Sequence, residues 1–134
     1  MNQDLEVLLL DDSAAERELV LEAAHEFGQG INLRVVSSLE DAEAACRLCM
    51  PAVILIDLHL GRWHGRDLLP KLRGSIGNVI LTNTADAAEE ARCRAAGALA
   101  FWVKPLQFAG FASLFVALRR LGSRGSPHLD DPLG

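Results

Sequence analysis

The chain has 134 residues, a formal net charge of −5 and a hydrophobic fraction of 50%. That length holds one domain of ordinary size with enough apolar material for a core. The negative balance supplies no electrostatic footprint for nucleic acid or for an anionic membrane surface. No apolar run approaches the roughly 18 residues of a membrane-spanning helix, and Met1-Asn-Gln-Asp4 lacks the basic stretch that opens a secretory signal, so a soluble, cytoplasmic protein is expected.

Taken in order, Leu5 to Leu10 reads as a first strand that stops at Asp11-Asp12. Ser13-Ala-Ala-Glu16 fits a capping box, in which the serine takes an early helix amide and the glutamate reaches back. The first helix carries Leu19, Val20, Ala23, Ala24 and Phe27 on one face and ends at Gly28 and Gly30. Ile31 to Val36 is a second strand, and Ser38-Leu-Glu-Asp41 opens a second helix that Pro51 ends near Cys49.

Ala52 to Ile56 is an unbroken apolar run that ends at Asp57. Such a run reads as a strand buried on both faces, the signature of a parallel sheet. Leu60-Gly-Arg-Trp-His-Gly65 is expected as a loop, followed by a short third helix, about Arg66 to Arg73, that contains Pro70. Val79-Ile80-Leu81 forms a fourth strand stopping at Thr82, and the fourth helix spans about Ala85 to Ala96 with Thr84 as its expected cap. Phe101-Trp102-Val103 is a fifth strand stopping at Lys104. Pro105 opens the fifth helix, whose face of Phe108, Phe111, Leu114, Phe115 and Leu118 is expected in the core. Residues 1–121 thus form the domain, and 122–134, rich in Gly, Ser and Pro, read as a flexible tail or the stump of a linker.

The three cysteines, an odd number, point to reduced thiols. Cys46-Arg-Leu-Cys49 has redox or zinc spacing, but it lies in a helix with no second ligand pair, so it is read as structural. His59 and His64 are read as solvated loop histidines, and Trp63 either faces a partner or covers the loop edge.

Strands alternating with helices imply right-handed crossovers and a parallel sheet covered on both faces. All strand carboxyl ends then lie on one edge, where ligands bind in open α/β sheets. That edge collects Asp11, Asp12, Asp57, Thr82 and Lys104. Carboxylates about 4 Å apart repel by a few kcal/mol per pair at an effective dielectric near 20. A hard cation such as Mg2+ offsets this, keeping part of its shell for water and phosphate. With a lysine and a threonine opposite, the site suits a phosphoryl group, and a carboxylate can be its acceptor.

The ordered set Asp11-Asp12, Asp57, Thr82 and Lys104-Pro105 resembles the CheY-like receiver domain of bacterial two-component response regulators. Asp57-Leu-His-Leu-Gly-Arg-Trp-His-Gly65 and Ala96-Gly97-Ala98, followed by Phe101, fit the same pattern. The resemblance covers Leu5 to about Leu121. It implies a flavodoxin-like doubly wound sheet of five parallel strands in the order 2-1-3-4-5 with five helices. It further implies that Asp57 takes a phosphoryl group from a sensor histidine kinase or phosphotransfer protein, with Mg2+ held by Asp11, Asp12, Asp57 and the backbone carbonyl of His59. Thr82 and Lys104 would contact the phosphoryl oxygens, and Phe101 would be the switch aromatic that follows Thr82. The output would be altered binding of a downstream protein or output domain through the fourth helix, fifth strand and fifth helix, a face that also offers itself to a second copy of the chain. Such a domain is a regulatory switch in a phosphorelay rather than an enzyme, catalysing its own phosphoryl transfer and slow dephosphorylation.

Three positions depart from the family pattern: Gly61 replaces a usual proline and implies a looser loop, Asn83 is bulkier than usual beside Thr82, and Phe101 lacks the hydroxyl of tyrosine. Two alternatives remain. One is a receiver-like interaction module independent of phosphate, which Asn83 favours. The other is an Mg2+-dependent phosphohydrolase; dehalogenase-like phosphatases place a second acid two residues after the nucleophile, where His59 stands here. Phosphate-loop and dinucleotide readings lack GxxxxGK or GxGxxG after the first strand.

Overall fold

The computed structural model describes residues 3–124. Five strands form one parallel sheet: β1 (Leu5–Leu10), β2 (Ile31–Val36), β3 (Val53–Asp57), β6 (Gly77–Thr82) and β7 (Ala100–Val103). Their order is β2-β1-β3-β6-β7, which is the expected 2-1-3-4-5 once the short strands β4 (His59–Leu60) and β5 (Trp63–His64) are set aside. The helices are α1 (Ala14–Phe27), α2 (Leu39–Leu48), α3 (Gly65–Leu68), α4 (Ala87–Ala95) and α5 (Phe111–Arg124). The fold is therefore the flavodoxin-like α/β arrangement.

Strand side chains alternate between faces, and both faces are apolar. Val7, Leu9, Val53, Leu55, Val79 and Leu81 pack with Val20 and Ala23 of α1 and with Leu114, Phe115 and Leu118 of α5. Leu8, Leu10, Ile54, Ile56 and Ile80 pack on the other side with Ala42 of α2, Leu68 of α3 and Cys93 of α4. This two-sided burial explains why the central strands read as unbroken apolar runs.

Local chemistry sets the helix starts. Ser13 Oγ accepts from Glu16 N at 3.2 Å and Ser38 Oγ from Asp41 N at 3.1 Å, as their positions predict. Arg119 of α5 donates to the carbonyls of Phe27 and Gln29 at 3.0 and 3.1 Å, tying α5 to the carboxyl end of α1.

The structure corrects several local expectations. The segment after β3 is an antiparallel hairpin, His59 opposite His64 and Leu60 opposite Trp63. Gly61 opens its two-residue turn at φ +60, the placement a glycine-first hairpin turn requires, so the residue read as loosening this loop is what closes it. His64 is not merely solvated, because its Nδ1 caps α3 by accepting from Arg66 N at 3.2 Å. Helix α3 has 4 residues, far short of the expected span; Pro70 has no N–H with which to continue it. Asp86, not Thr84, caps α4, its Oδ1 accepting from Ala88 and Glu89 amides at 3.0 and 3.1 Å.

Pro105 does not open the last helix. A 3-10 turn, Phe108–Gly110, intervenes, and Phe108 is 39% exposed, its ring against Phe27 rather than in the core. Helix α5 continues to Arg124, past the expected domain boundary at 121, with Gly122 against Leu5. The rest of the expected tail, from 125 onward, lies outside the described residues. Among them no helix is long and apolar enough to cross a membrane.

Candidate phosphoryl and cation site

Strand register builds the site. Leu10 is level with Ile56, Asp57 with Leu81, and Thr82 with Val103. The residues at and just beyond these strand ends are therefore held side by side. Backbone bonds extend the ladder past the strands: Asp11 N to Val36 O at 3.1 Å, Leu58 N to Leu81 O at 2.8 Å and Lys104 N to Thr82 O at 2.7 Å.

Alternation then sorts the side chains. Asp57 follows Val53 and Leu55 onto the α1/α5 face, and Asp11 and Lys104 converge on it. Thr82 has the parity of Ile80, whose register partner Phe101 is buried with it on the α3/α4 side. Asp11 and Asp57 are buried while Asp12 is exposed, and a carboxylate oxygen from each lies within 4.8 Å of the other two. Lys104 Nζ lies 3.2 Å from Asp57 Oδ1 and 3.7 Å from Asp11 Oδ2. Its shortest contact is with Glu16 Oε1, at 2.5 Å.

Thr82 stands at the end of β6 with its hydroxyl engaged in its own turn, 3.3 Å from Thr84 O and 3.4 Å from Thr84 N. The His59 backbone N–H donates to the Asp57 carboxylate, and the His59 ring stands edge-on to His64. Asn83 lines a cavity of about 80 Å³ beside Lys104, together with Asp11 and Glu16.

Electrostatics express the crowding. Burial pushes the Asp11 carboxyl up to about 7, helped by a hydrogen bond with Glu16 and by the charge of Asp57. Burial also raises Asp57, against the pull of Lys104. For Lys104, burial works against the charge, but Glu16, Asp57 and Asp11 together hold its pKa above the ordinary lysine value. Asp11, Asp12 and Asp57 present only hard oxygen donors, and two of the three are held at a cost that a cation would relieve. That donor chemistry fits Mg2+ or another oxygen-seeking divalent ion.

Two residues shape the site in ways the sequence does not reveal. Glu16 fits a capping box, but Asp11 Oδ1 accepts from Ser13 N at 2.9 Å, which leaves the Glu16 carboxylate to Lys104 and the Asp11 side chain. Gly65, read as a loop glycine at the end of the Asp57–Gly65 stretch, runs against the Asp57 backbone: a Cβ there would lie 2.4 Å from Asp57 O. Cys46 is half-buried on α2 and Cys49 exposed at its carboxyl end, both as free thiols.

No family model and no curated protein matches the chain. Solved structures do. A Francisella response regulator receiver domain, at 19% identity, covers 92% of this chain and 100% of its own, with TM-score 0.72. A phosphorylated cyanobacterial phytochrome response regulator, at 18% identity, covers 87% of this chain and 92% of its own, with TM-score 0.69. The BeF3-activated receiver domain of DrrB, at 18% identity, covers 90% and 99%, with TM-score 0.68. Over most of its length, the chain has the fold of response regulator receiver domains.

Proposed function

We propose that the chain is a phosphorylation-dependent signalling switch of a two-component system, with Asp57 as phosphoryl acceptor. The observation that carries this reading is the convergence, on a receiver fold, of Asp57 with Lys104 3.2 Å away and the Asp11 and Asp12 carboxylates beside it. One fold neighbour is a phosphorylated protein and another a BeF3-activated one, in keeping with a fold that accommodates such groups.

In this reading an Asp57 carboxylate oxygen attacks the phosphorus of a phosphohistidine on a histidine kinase or phosphotransfer protein. The new O–P bond forms as the P–N bond breaks, and the imidazole leaves with the electron pair. Asp11, Asp12, Asp57 and the His59 carbonyl would hold Mg2+, which when bound neutralises charge on the transferring group. Lys104, 3.2 Å from Asp57 Oδ1, supplies a positive charge on the same face. Thr82 must release Thr84 to reach a phosphoryl oxygen, and its movement, with Phe101 level with Ile80 on the same face, passes the change toward α4 and β7. The output surface is the α4, β7 and α5 face, where Leu99, Val103 and Val116 are exposed; a downstream protein, an output domain or a second copy would dock there. Self-catalysed transfer and slow hydrolysis make this a regulatory domain, acting in the cytoplasm.

Intact mass after incubation with acetyl phosphate tests this directly. A single base-labile phosphoryl adduct is expected, dependent on Mg2+ and absent from Asp57→Asn. Absence of adduct in the wild type, with Mg2+ bound, would overturn the reading in favour of a phosphate-independent interaction module. Rapid consumption of acetyl phosphate without adduct would point to a phosphohydrolase.

A further inference from the structure

Lys104 is surrounded by three acids, and the nearest is not the proposed acceptor. Its Nζ lies 2.5 Å from Glu16 Oε1, against 3.2 Å for Asp57 and 3.7 Å for Asp11. Glu16 reaches it because α1 covers the face onto which Asp57 and Lys104 point. Its carboxylate has been excused from helix capping, since Asp11 already accepts from Ser13 N. The Lys104 side chain is only 12% exposed, so its ammonium depends on protein partners for its hydrogen bonds.

We infer that Glu16 is a positioning residue, the resting partner of Lys104, which holds the ammonium on the α1 side until a phosphoryl group on Asp57 displaces it. The inference rests on the phosphoryl-acceptor reading above and adds a regulatory term to it. An ammonium has three donors, which turn together about the Cε–Nζ bond, and a single positive charge. The short Glu16 contact occupies one of them, and a phosphoryl oxygen beside Asp57 must compete for the same charge. Glu16 therefore weakens the phosphorylated state relative to the resting one and sets a threshold for switching. Because the Glu16 side chain is 39% exposed, the pair is partly screened and the threshold is modest.

The test is equilibrium binding of fluoroberyllate, a phosphoryl mimic, at saturating Mg2+, with stability measured in parallel. The proteins are the wild type, Glu16→Gln and Glu16→Asp. Glu16→Gln removes the charge, and Glu16→Asp keeps it but draws it back by one methylene. Both variants are expected to bind the mimic more tightly, by roughly fivefold for Gln and less for Asp, the scale of a partly exposed ion pair. The Lys104 ammonium NMR signal should move in both before any mimic is added, a change that a purely structural role would not produce. Binding by Glu16→Gln equal to or weaker than wild type overturns the inference. So does tightening in Gln with none in Asp, which would mean that Glu16 acts only through its field on the anion. Binding by the variants but not by the wild type is the inference in its strongest form. If neither the wild type nor any variant binds, the phosphoryl reading itself falls, and this inference with it.

Discussion

Gly65 passes so close to Asp57 that a Cβ added to it would lie 2.4 Å from the Asp57 carbonyl oxygen and 3.0 Å from the Leu58 Cα. The Gly65 amide donates to Leu58 O at 2.6 Å, so the contact is clamped from the backbone side too. The end of β3 and the start of α3 can meet this closely only without a side chain. Gly65→Ala is expected to destabilise the fold by about 1–3 kcal/mol, the cost of overpacking a rigid contact. Urea unfolding checks this, and an unchanged midpoint would refute it.

Gly61 is in the left-handed region, and a Cβ there would lie 2.9 Å from Asp12 Oδ2. Placing a proline at this position is therefore expected to harm this chain rather than help it. Proline cannot adopt φ +60, and forcing the turn to rearrange costs more than the roughly 0.4–1 kcal/mol that a compatible proline contributes. Gly61→Pro should unfold at lower temperature than the wild type, while Gly61→Ala should mainly weaken Mg2+ binding by displacing Asp12.

The pH dependence of cation binding follows from Asp11. Burial first, then the Glu16 hydrogen bond, lift its pKa from 3.8 to about 7. A carboxyl with a raised folded-state pKa contributes stability that is fully present below its unfolded value and lost as pH rises through the folded one. This group's contribution to the metal-free protein therefore falls between about pH 4 and pH 7. A cation needs the ionised form, so Mg2+ binding should weaken below about pH 7 and release a proton. Calorimetry in buffers of different ionisation enthalpy would detect that proton, and a binding constant independent of pH through this range would contradict the assignment.

The cysteines should separate by burial. Cys93 is fully buried, and burial followed by the Glu89 charge raises its thiol pKa to about 11. Its stability contribution is complete below the ordinary 9.0 and lost as pH rises toward about 11. Cys49 is exposed and Cys46 half-buried, its thiol raised by burial. A thiol reagent at about pH 8 is expected to modify Cys49 first and Cys93 only on unfolding, because the thiolate is the reacting form. Rapid labelling of all three in the folded protein would show that α4 opens readily.

Asn78 is the fold's buried polar staple. Its side chain accepts from Gly74 N at 2.9 Å and donates to Leu72 O at 2.6 Å, holding the turn that leads into β6. Asn78→Ala leaves both backbone groups without their partner and should cost about 1–3 kcal/mol for each group left unsatisfied. Denaturant unfolding would register this as a fall in midpoint with little change in slope.

Where burial was two-sided, the sequence alone determined the element. Val53 to Ile56 had to be a central strand because nothing in it could face water, and Asp57 stood out at its end for the same reason. The Ser13 and Ser38 caps were equally legible, since each is satisfied within three residues of itself. Contacts between distant segments were decided only in three dimensions. The Ser13-Ala-Ala-Glu16 pattern is the same whether Glu16 turns back to Ser13 or forward to Lys104, and a lysine 88 positions later decided between them. The closeness of Gly65 to Asp57 likewise depends on a hairpin whose two-residue strands are too short to show a period. The 4-residue α3 and the capping of α4 by Asp86 were hidden for a related reason: local propensity allows several boundaries, and tertiary packing selects one. Short-range hydrogen bonding and two-sided burial leave their mark on the chain itself, whereas the pairing of charges across the sheet edge exists only once register has brought them together.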